Sequence, residues 1–96
     1  MQVEIITPEA KVFEGEAEAV QFPGLDGSFQ VLNGHAAIIS ALTEGSVKVD
    51  LSKPFVQDED TNSLIQNDNA NKNVIRVGIK GGVMEMLNNK IIVLAE

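Results

Sequence analysis

The sequence has no cysteine, tryptophan or tyrosine, and its only aromatic residues are four phenylalanines. Without cysteine the chain can form neither disulfides nor thiolate metal sites, and it has no cysteine nucleophile. With so few rings it offers no aromatic platform on which nucleobases could stack. The core must therefore consist mainly of valine, isoleucine, leucine and alanine, and the lack of cysteine fits a reducing compartment.

Positive charge is also scarce. Seven lysine and arginine residues against fourteen aspartate and glutamate residues give a formal net charge of −7. Clustered basic side chains are what nucleic acids and anionic membranes require. We therefore expect no nucleic-acid ligand and no direct adsorption on a membrane, and a neutral or basic protein partner suits the charge better.

Targeting signals and long apolar segments are absent as well. The first eight residues contain neither a basic region nor a long apolar one, so we expect no signal or transit peptide. The longest apolar run, residues 91–95, is far shorter than the ~20 residues that span a bilayer. With 96 residues we expect one domain, residues 1–96.

Short segments of alternating apolar and polar residues dominate the sequence. The alternation is regular in residues 46–51 and 75–80, and residues 3–6 form a short β-branched run. Asn88-Asn89 suits a tight hairpin turn, because asparagine tolerates positive φ. Many short strands with turns between them predict an all-β fold, either a sandwich or a barrel.

Two segments are ambiguous. The parity of the apolar residues changes between Ala19 and Val20, which a β-bulge or a strand crossing between two sheets would explain. Residues 35–44 are rich in alanine, isoleucine and leucine, which favours a helix that ends before Gly45, but an extended strand is also compatible.

A polar segment interrupts the pattern at residues 53–73, where aspartate, asparagine and glutamine are frequent. We predict an exposed loop or an extended hairpin there. Calcium binding at residues 58–60 is conceivable, although the spacing is not that of an EF-hand loop.

His35 is the only histidine, and it lies in residues 22–36, where three glycines and a proline indicate repeated turns around a short strand. A general base needs an orienting carboxylate and a nearby nucleophile, and no hydrolase motif surrounds His35. We predict a capping or interface role for it. We expect no catalytic residue, no metal, since one histidine without cysteine leaves only carboxylates as ligands, and no cofactor.

Two other motifs have structural interpretations. Residues 24–27 lack the lysine and the following helix of a phosphate loop, so we predict a tight turn. Met84-Glu85-Met86 resembles the Met-Lys-Met hairpin of biotinyl and lipoyl carrier domains, but Glu85 replaces the lysine that would be acylated. We interpret the two methionines as core residues; a carrier-like or other small all-β interaction module is the alternative function.

One family resemblance covers most of the chain. Five segments occur in the order and spacing of the N-terminal β-sandwich domain of the ε subunit of F-type ATP synthase, which this chain resembles, and they are residues 5–15, 22–36, 41–47, 81–85 and 90–95. The likeness excludes only residues 53–73. It implies a β-sandwich of two mainly antiparallel sheets packed face to face, with extended chain rather than helix in residues 35–44.

The resemblance also implies a function. The chain would be a non-catalytic central-stalk subunit that joins the γ subunit to the c-ring and couples proton translocation to ATP synthesis. It would lie on the cytoplasmic face of the bacterial plasma membrane and associate with the membrane only through the complex.

Site residues follow from the family pattern by position. Three residues would face the γ subunit, and they are Thr7, His35 and Ser40. Four would approach the polar loops of the c-ring, and they are Asp26, Gly27, Ser28 and Phe29.

This sequence departs from the family in two respects. The family usually has an acidic residue at Ser28, glycine at Gln30 and proline at Asn33, so the c-ring contact would rely on Asp26 and on backbone groups. Typical members also continue into a two-helix arm that binds ATP and inhibits hydrolysis. We expect the present 96 residues to couple without inhibiting by that route.

Overall fold

The structure, a computed structural model that describes residues 1–96, contains nine β-strands and no helix. The strands are β1 Gln2–Ile6, β2 Lys11–Gly24, β3 Gly27–Leu32, β4 Ile38–Leu42, β5 Gly45–Leu51, β6 Ile65–Asn67, β7 Val74–Ile79, β8 Gly82–Leu87 and β9 Lys90–Ala95. All pairings are antiparallel except that of β1 with β9. The strands predicted from regular alternation are therefore confirmed.

The strands form two layers, and β2 belongs to both. In layer one the order is β4, β8, β9 and β1, with the first half of β2 paired to β1. In layer two the second half of β2 pairs with β3 and β5, and β7 and β6 follow. Because the inner faces of both layers contribute to one apolar cluster, the predicted all-β sandwich is confirmed.

The crossing point of β2 explains the change of parity in the sequence. The register with β5 shifts between Ala17 and Ala19, which is the mark of a β-bulge. Ala19 and Val20 are consecutive and both buried. Both explanations considered for this segment hold, since the bulge lies where the strand passes from one layer to the other.

The core between the layers is built from aliphatic side chains, two methionines and phenylalanine, and no polar or charged side chain is buried in it. Phe22 packs on Phe29 with ring centroids 5.3 Å apart. Met84 and Met86 are fully buried, so their interpretation as core residues is confirmed.

The helix considered for residues 35–44 is wrong. Residues 38–42 form β4, paired with β8, and Gly45 starts β5 instead of capping a helix. The cause is that β4 is apolar on both sides: Leu42 lies in the core, while Ile39 points to solvent. A strand of this kind shows no period-two alternation, so its sequence resembles that of a helix.

The polar segment at residues 53–73 includes the short strand β6, which pairs with β7. Phe55 anchors the segment, since its ring lies 6.2 Å from that of Phe13. Arg76 donates a hydrogen bond of 2.7 Å to Asp68 across the β6–β7 connection. This bond lowers the pKa of the Asp68 carboxyl group, with help from the backbone N–H groups of Asn71 and Ala70.

Candidate functional site

The outer side of layer one is a largely apolar surface, which we call the apolar face. Cross-strand register places alternate residues of β4, β8, β9 and β1 side by side on it. Its members are Ile39, Ala41, Val83, Glu85, Leu87, Lys90, Ile92, Leu94, Glu4 and Ile6. The surface thus extends across all four strands.

The exposure of these side chains distinguishes this face from the rest of the surface. Ile39 is 71% exposed, Leu94 56%, Leu87 54% and Val83 44%. The outer side of layer two has polar residues in the equivalent positions, with Gln21, Lys48 and Arg76 in one cross-strand row. Contiguous exposed apolar side chains of this kind mark a contact surface.

A shallow hollow lies where β4 and β8 meet. It has a volume of ≈ 400 Å³, and its lining is Ala37, Ile38, Ile39, Met86, Leu87 and Glu85. Glu85 is the only charged or polar residue of that lining. The lining of the hollow suits apolar groups.

Apart from Glu85, the charged residues of the apolar face lie towards one edge of it. Glu4 and Glu14 lie directly opposite each other on β1 and β2. Lys11 offsets their repulsion, with its ammonium group 4.0 Å from Glu4 and 3.3 Å from Glu14, and Lys90 lies 4.0 Å from Glu4. Glu85 takes part in none of the ion pairs.

A tight turn joins β2 to β3, as residues 24–27 predicted. Only Leu25 and Asp26 separate the strands, and Gly27 has a φ of 122°, which favours glycine. The backbone N–H of Leu25 donates to the carbonyl of Ala41 at 3.2 Å, and that of Thr43 donates to the carbonyl of Pro23 at 2.8 Å. The turn is thereby fixed to β4, with Asp26 and Ser28 exposed.

His35 follows a second turn, at Asn33-Gly34, and is exposed. Its Nδ1 donates to the carbonyl of Ala36 at 2.7 Å, and no carboxylate is bonded to the ring. Asn89 holds this turn to the β8–β9 connection through bonds to Gly34 N (2.8 Å) and Asn33 Oδ1 (2.9 Å). The exposed ring is accessible to a binding partner, and it lacks the carboxylate and the nucleophile that a general base requires.

The residues assigned to the γ subunit lie around the apolar face without forming a cluster. Thr7 follows the end of β1. His35 lies at the other end of that strand, because it follows the Asn33-Gly34 turn, which is hydrogen-bonded to Asn89 just before β9, and the first residue of β9 pairs with the start of β1. The strands between them are roughly 15 Å long. Ser40 lies between these ends, half-buried in the exposed strand β4.

The residues assigned to the c-ring do lie together. Asp26, Gly27, Ser28 and Phe29 line one groove of ≈ 410 Å³. Ser40 and Ala41 also line this groove, so Ser40 lies next to the β2–β3 turn. On β4 it pairs with the buried Met84, on the opposite side of the strand from the apolar face. The two predicted sites therefore adjoin each other at β4.

The apolar face itself was missed by the sequence reasoning. Its signal is the apolar runs at residues 36–39 and 91–95, which have no polar residue on either side of the strand. Such runs indicate burial on both faces, and here the second face has no partner in this chain.

Two further classes of site are not found. No group of three or more histidine, cysteine, aspartate or glutamate residues is placed to hold a metal ion. The chain also has no helix that is long and apolar enough to cross a membrane.

Comparison with known proteins gives consistent similarities. The family described as ATP synthase, delta/epsilon chain, β-sandwich domain matches residues 1–57. The ATP synthase epsilon chains of Chlorobium limicola and Chlorobaculum tepidum are 36% and 38% identical, over 99% and 98% of this chain and 88% and 86% of their own lengths. That of Salinibacter ruber is 34% identical, and the match spans 58% of its length.

A solved structure has the same fold. It is a cryo-EM structure of the central stalk and c-ring of Tetrahymena thermophila mitochondrial ATP synthase, with a TM-score of 0.67 and 16% sequence identity. The match covers 99% of this chain and 62% of that one.

Proposed function

The chain belongs to the family of ATP synthase delta and epsilon chains, and from this premise we propose that it is a non-catalytic subunit of the central stalk of an F-type ATP synthase. In this proposal it joins the γ subunit to the c-ring and couples proton translocation to ATP synthesis. Residues 1–96 act as a single domain with a polar loop or hairpin at 53–73. The domain stays on the cytoplasmic face of the bacterial plasma membrane through its complex and binds no nucleic acid.

The observation that carries the proposal is the apolar face. A soluble domain with an entirely apolar core gains nothing from also exposing Ile39, Leu94 and Leu87, because each costs free energy in water. Covering them against another protein would recover that free energy. We assign this covering surface to the γ subunit, with Thr7, His35 and Ser40 at the margins of the contact.

The β2–β3 turn supports the second contact. Asp26 and Ser28 are exposed beside Gly27, which is exposed as well, and this suits recognition of polar loops. We assign Asp26, Gly27, Ser28 and Phe29 to the c-ring. A two-residue turn fixed to β4 by backbone hydrogen bonds presents these groups with little entropy to lose on binding.

A single strand connects the two contacts. The first half of β2 pairs with β1 in the layer that bears the apolar face, and its last residue, Gly24, begins the turn. The first half of β2 is held by its ladder with β1, and the second half is held between β3 and β5. A load applied at the turn is thus passed along β2 to the apolar face, as a subunit that transmits torque requires.

The direct test is reconstitution. The purified chain should bind an isolated γ–c-ring complex at micromolar concentration or below. It should also restore proton-driven ATP synthesis to membranes from which the native ε subunit has been removed, and hydrolyse no ATP alone. Absence of binding at micromolar concentration would contradict the proposal.

A further inference from the structure

Glu85 occupies the middle of the apolar face. Its cross-strand neighbours are Ile39 on β4 and Ile92 on β9. It also forms the only charged part of the lining of the ≈ 400 Å³ hollow between β4 and β8. A carboxylate is thus surrounded by apolar side chains on a surface that is built to be covered.

No cation of this chain neutralises Glu85. Two lysines border the apolar face, and neither pairs with Glu85. Lys11 lies 3.3 Å from Glu14 and 4.0 Å from Glu4, and Lys90 lies 4.0 Å from Glu4. Lys90 stands opposite Leu87, two cross-strand pairs from Glu85 on the same face, and lies within ion-pair distance of Glu4 alone. Glu85 accepts no hydrogen bond from any side chain either.

Water satisfies this carboxylate only while the face is open. A partner that covered the face with apolar atoms alone would remove that water and leave a charge without compensation, which strongly opposes binding. A lysine or arginine of the partner would replace the lost water with a charge-assisted hydrogen bond. The chemistry of the face therefore defines the chemistry of what covers it.

We propose that the segment of the γ subunit that covers the apolar face places an aliphatic side chain in the hollow and a lysine or arginine against Glu85. The inference rests on the function proposed above and adds the specificity of that contact. Apolar burial is not directional, so the ion pair at Glu85 sets the register and orientation of the docked segment.

The charge of the chain disfavours other occupants. A second copy packed symmetrically on the same face would bring two copies of Glu85 into one apolar contact, between chains that each carry a net charge of −7. An anionic membrane surface would repel Glu85 and the acidic edge at Glu4 and Glu14. A protein segment with basic and aliphatic side chains suits both the apolar side chains of the face and the carboxylate of Glu85.

The test measures affinity of the full chain for the purified γ subunit as a function of salt. E85Q should bind about tenfold more weakly at low salt and with a shallower salt dependence, and E85K about 100-fold more weakly, because a like charge then faces the partner's cation. E59Q is the matched control: it makes the same charge change in the exposed 53–73 segment, and it should keep wild-type affinity. Thermal melting should be unchanged in all three, since both glutamates are exposed.

Rescue identifies the partner's residue. Among single lysine- or arginine-to-glutamate variants of the γ subunit, one should bind the wild-type chain weakly. The same γ variant should bind E85K more tightly than the wild-type γ subunit does. If wild type binds γ while E85Q keeps its affinity and salt dependence, the inference is overturned and the proposed function stands. If no variant of γ restores E85K, the inference also fails. If wild type itself does not bind γ, the proposed function fails first.

Discussion

Gly24 and Gly27 face each other across the β2–β3 turn so closely that a Cβ atom on Gly24 would lie 2.5 Å from the carbonyl oxygen of Gly27. The same Cβ would lie 2.9 Å from the ring of Phe29. The close approach couples the geometry of the turn to the packing of Phe29 on Phe22 in the core. The packing of Gly24 and Phe29 therefore fixes the position of the exposed residues of the turn.

Gly24→Ala should destabilise the fold by about 1–3 kcal/mol, because backbone and ring must both move to admit the methyl group. Urea unfolding at equilibrium measures this change. Gly78→Ala is the control in another strand: nothing lies within 4 Å of its Cβ position, so stability should be unchanged or raised by up to about 1 kcal/mol. Equal stability for the two variants would show that the turn is not constrained as described.

Ile39→Ser should leave the thermal midpoint close to that of wild type and weaken binding of the γ subunit about tenfold, since the side chain contributes to the contact and not to the core. Calorimetric titration measures the affinity. Val56→Ser is matched in chemistry and in exposure, at 80% against 71% for Ile39, but lies outside the apolar face. A similar loss for both variants would remove the face from the proposed contact.

His35→Ala should weaken assembly with γ several-fold and leave the isolated fold intact. The ring bonds only to the neighbouring carbonyl of Ala36, so its removal costs the chain little. Asn89→Ala should act differently, because it releases the bonds to Gly34 and Asn33 and loosens the turn itself. Amide exchange of Gly34 distinguishes the two, and should rise in Asn89→Ala alone.

Charge at the β2–β3 turn should control the contact with the c-ring. Asp26→Lys should weaken binding of isolated c-ring at least tenfold, whereas Ser28→Glu, which adds the acidic group that the family usually has at this position, should strengthen it. Both side chains are exposed and make no hydrogen bonds in the fold. The two variants should therefore be as stable as wild type. Binding measured at two salt concentrations checks the result, and an effect of the same sign in both variants would contradict an electrostatic contact.

Acid should loosen the β6–β7 hairpin. The folded-state pKa of Asp68 is lowered by the hydrogen bond from Arg76, so this contribution to stability is present above the ordinary carboxyl pKa of 3.8 and is lost as the pH falls below it. The protection of the amides of residues 65–67, which is the intrinsic exchange rate at each pH divided by the measured rate, should fall between pH 6 and pH 3. Asp68→Asn should remove most of this pH dependence and make exchange faster at pH 6.

Much of the fold could be predicted from local sequence. The alternation of Val47, Val49 and Leu51 and the turn at Asn88-Asn89 depend on neighbouring residues alone, and both asparagines do have positive φ, at 52° and 61°. The strand β4 could not be predicted in this way, because Ile39 and Leu42 are apolar on opposite sides of it. The alternation rule assumes that one side of a strand is polar and faces water. It fails for β4, whose exposed side is apolar because we assign it to a contact with another protein.

The candidate site shows the same division. The glycines of the β2–β3 turn and the position of His35 were visible in the sequence. The distance between Thr7 and His35 was not, because it depends on which strands are neighbours, and the parallel pairing of Gln2 with Lys90 has no local signal. Glu85 drew attention only through its neighbouring methionines, and its significance depends on the cross-strand position of Ile39 and Ile92.

The parallel pairing of β1 with β9 has a consequence for synthesis. Layer one cannot close until Lys90–Ala95 has left the ribosome, because β9 lies between β8 and β1. During translation β1 must wait with one side unpaired, and such non-local closure is slow. The surface that we assign to the γ subunit is therefore among the last parts of the domain to form, and a nascent chain without β9 does not yet present it in full.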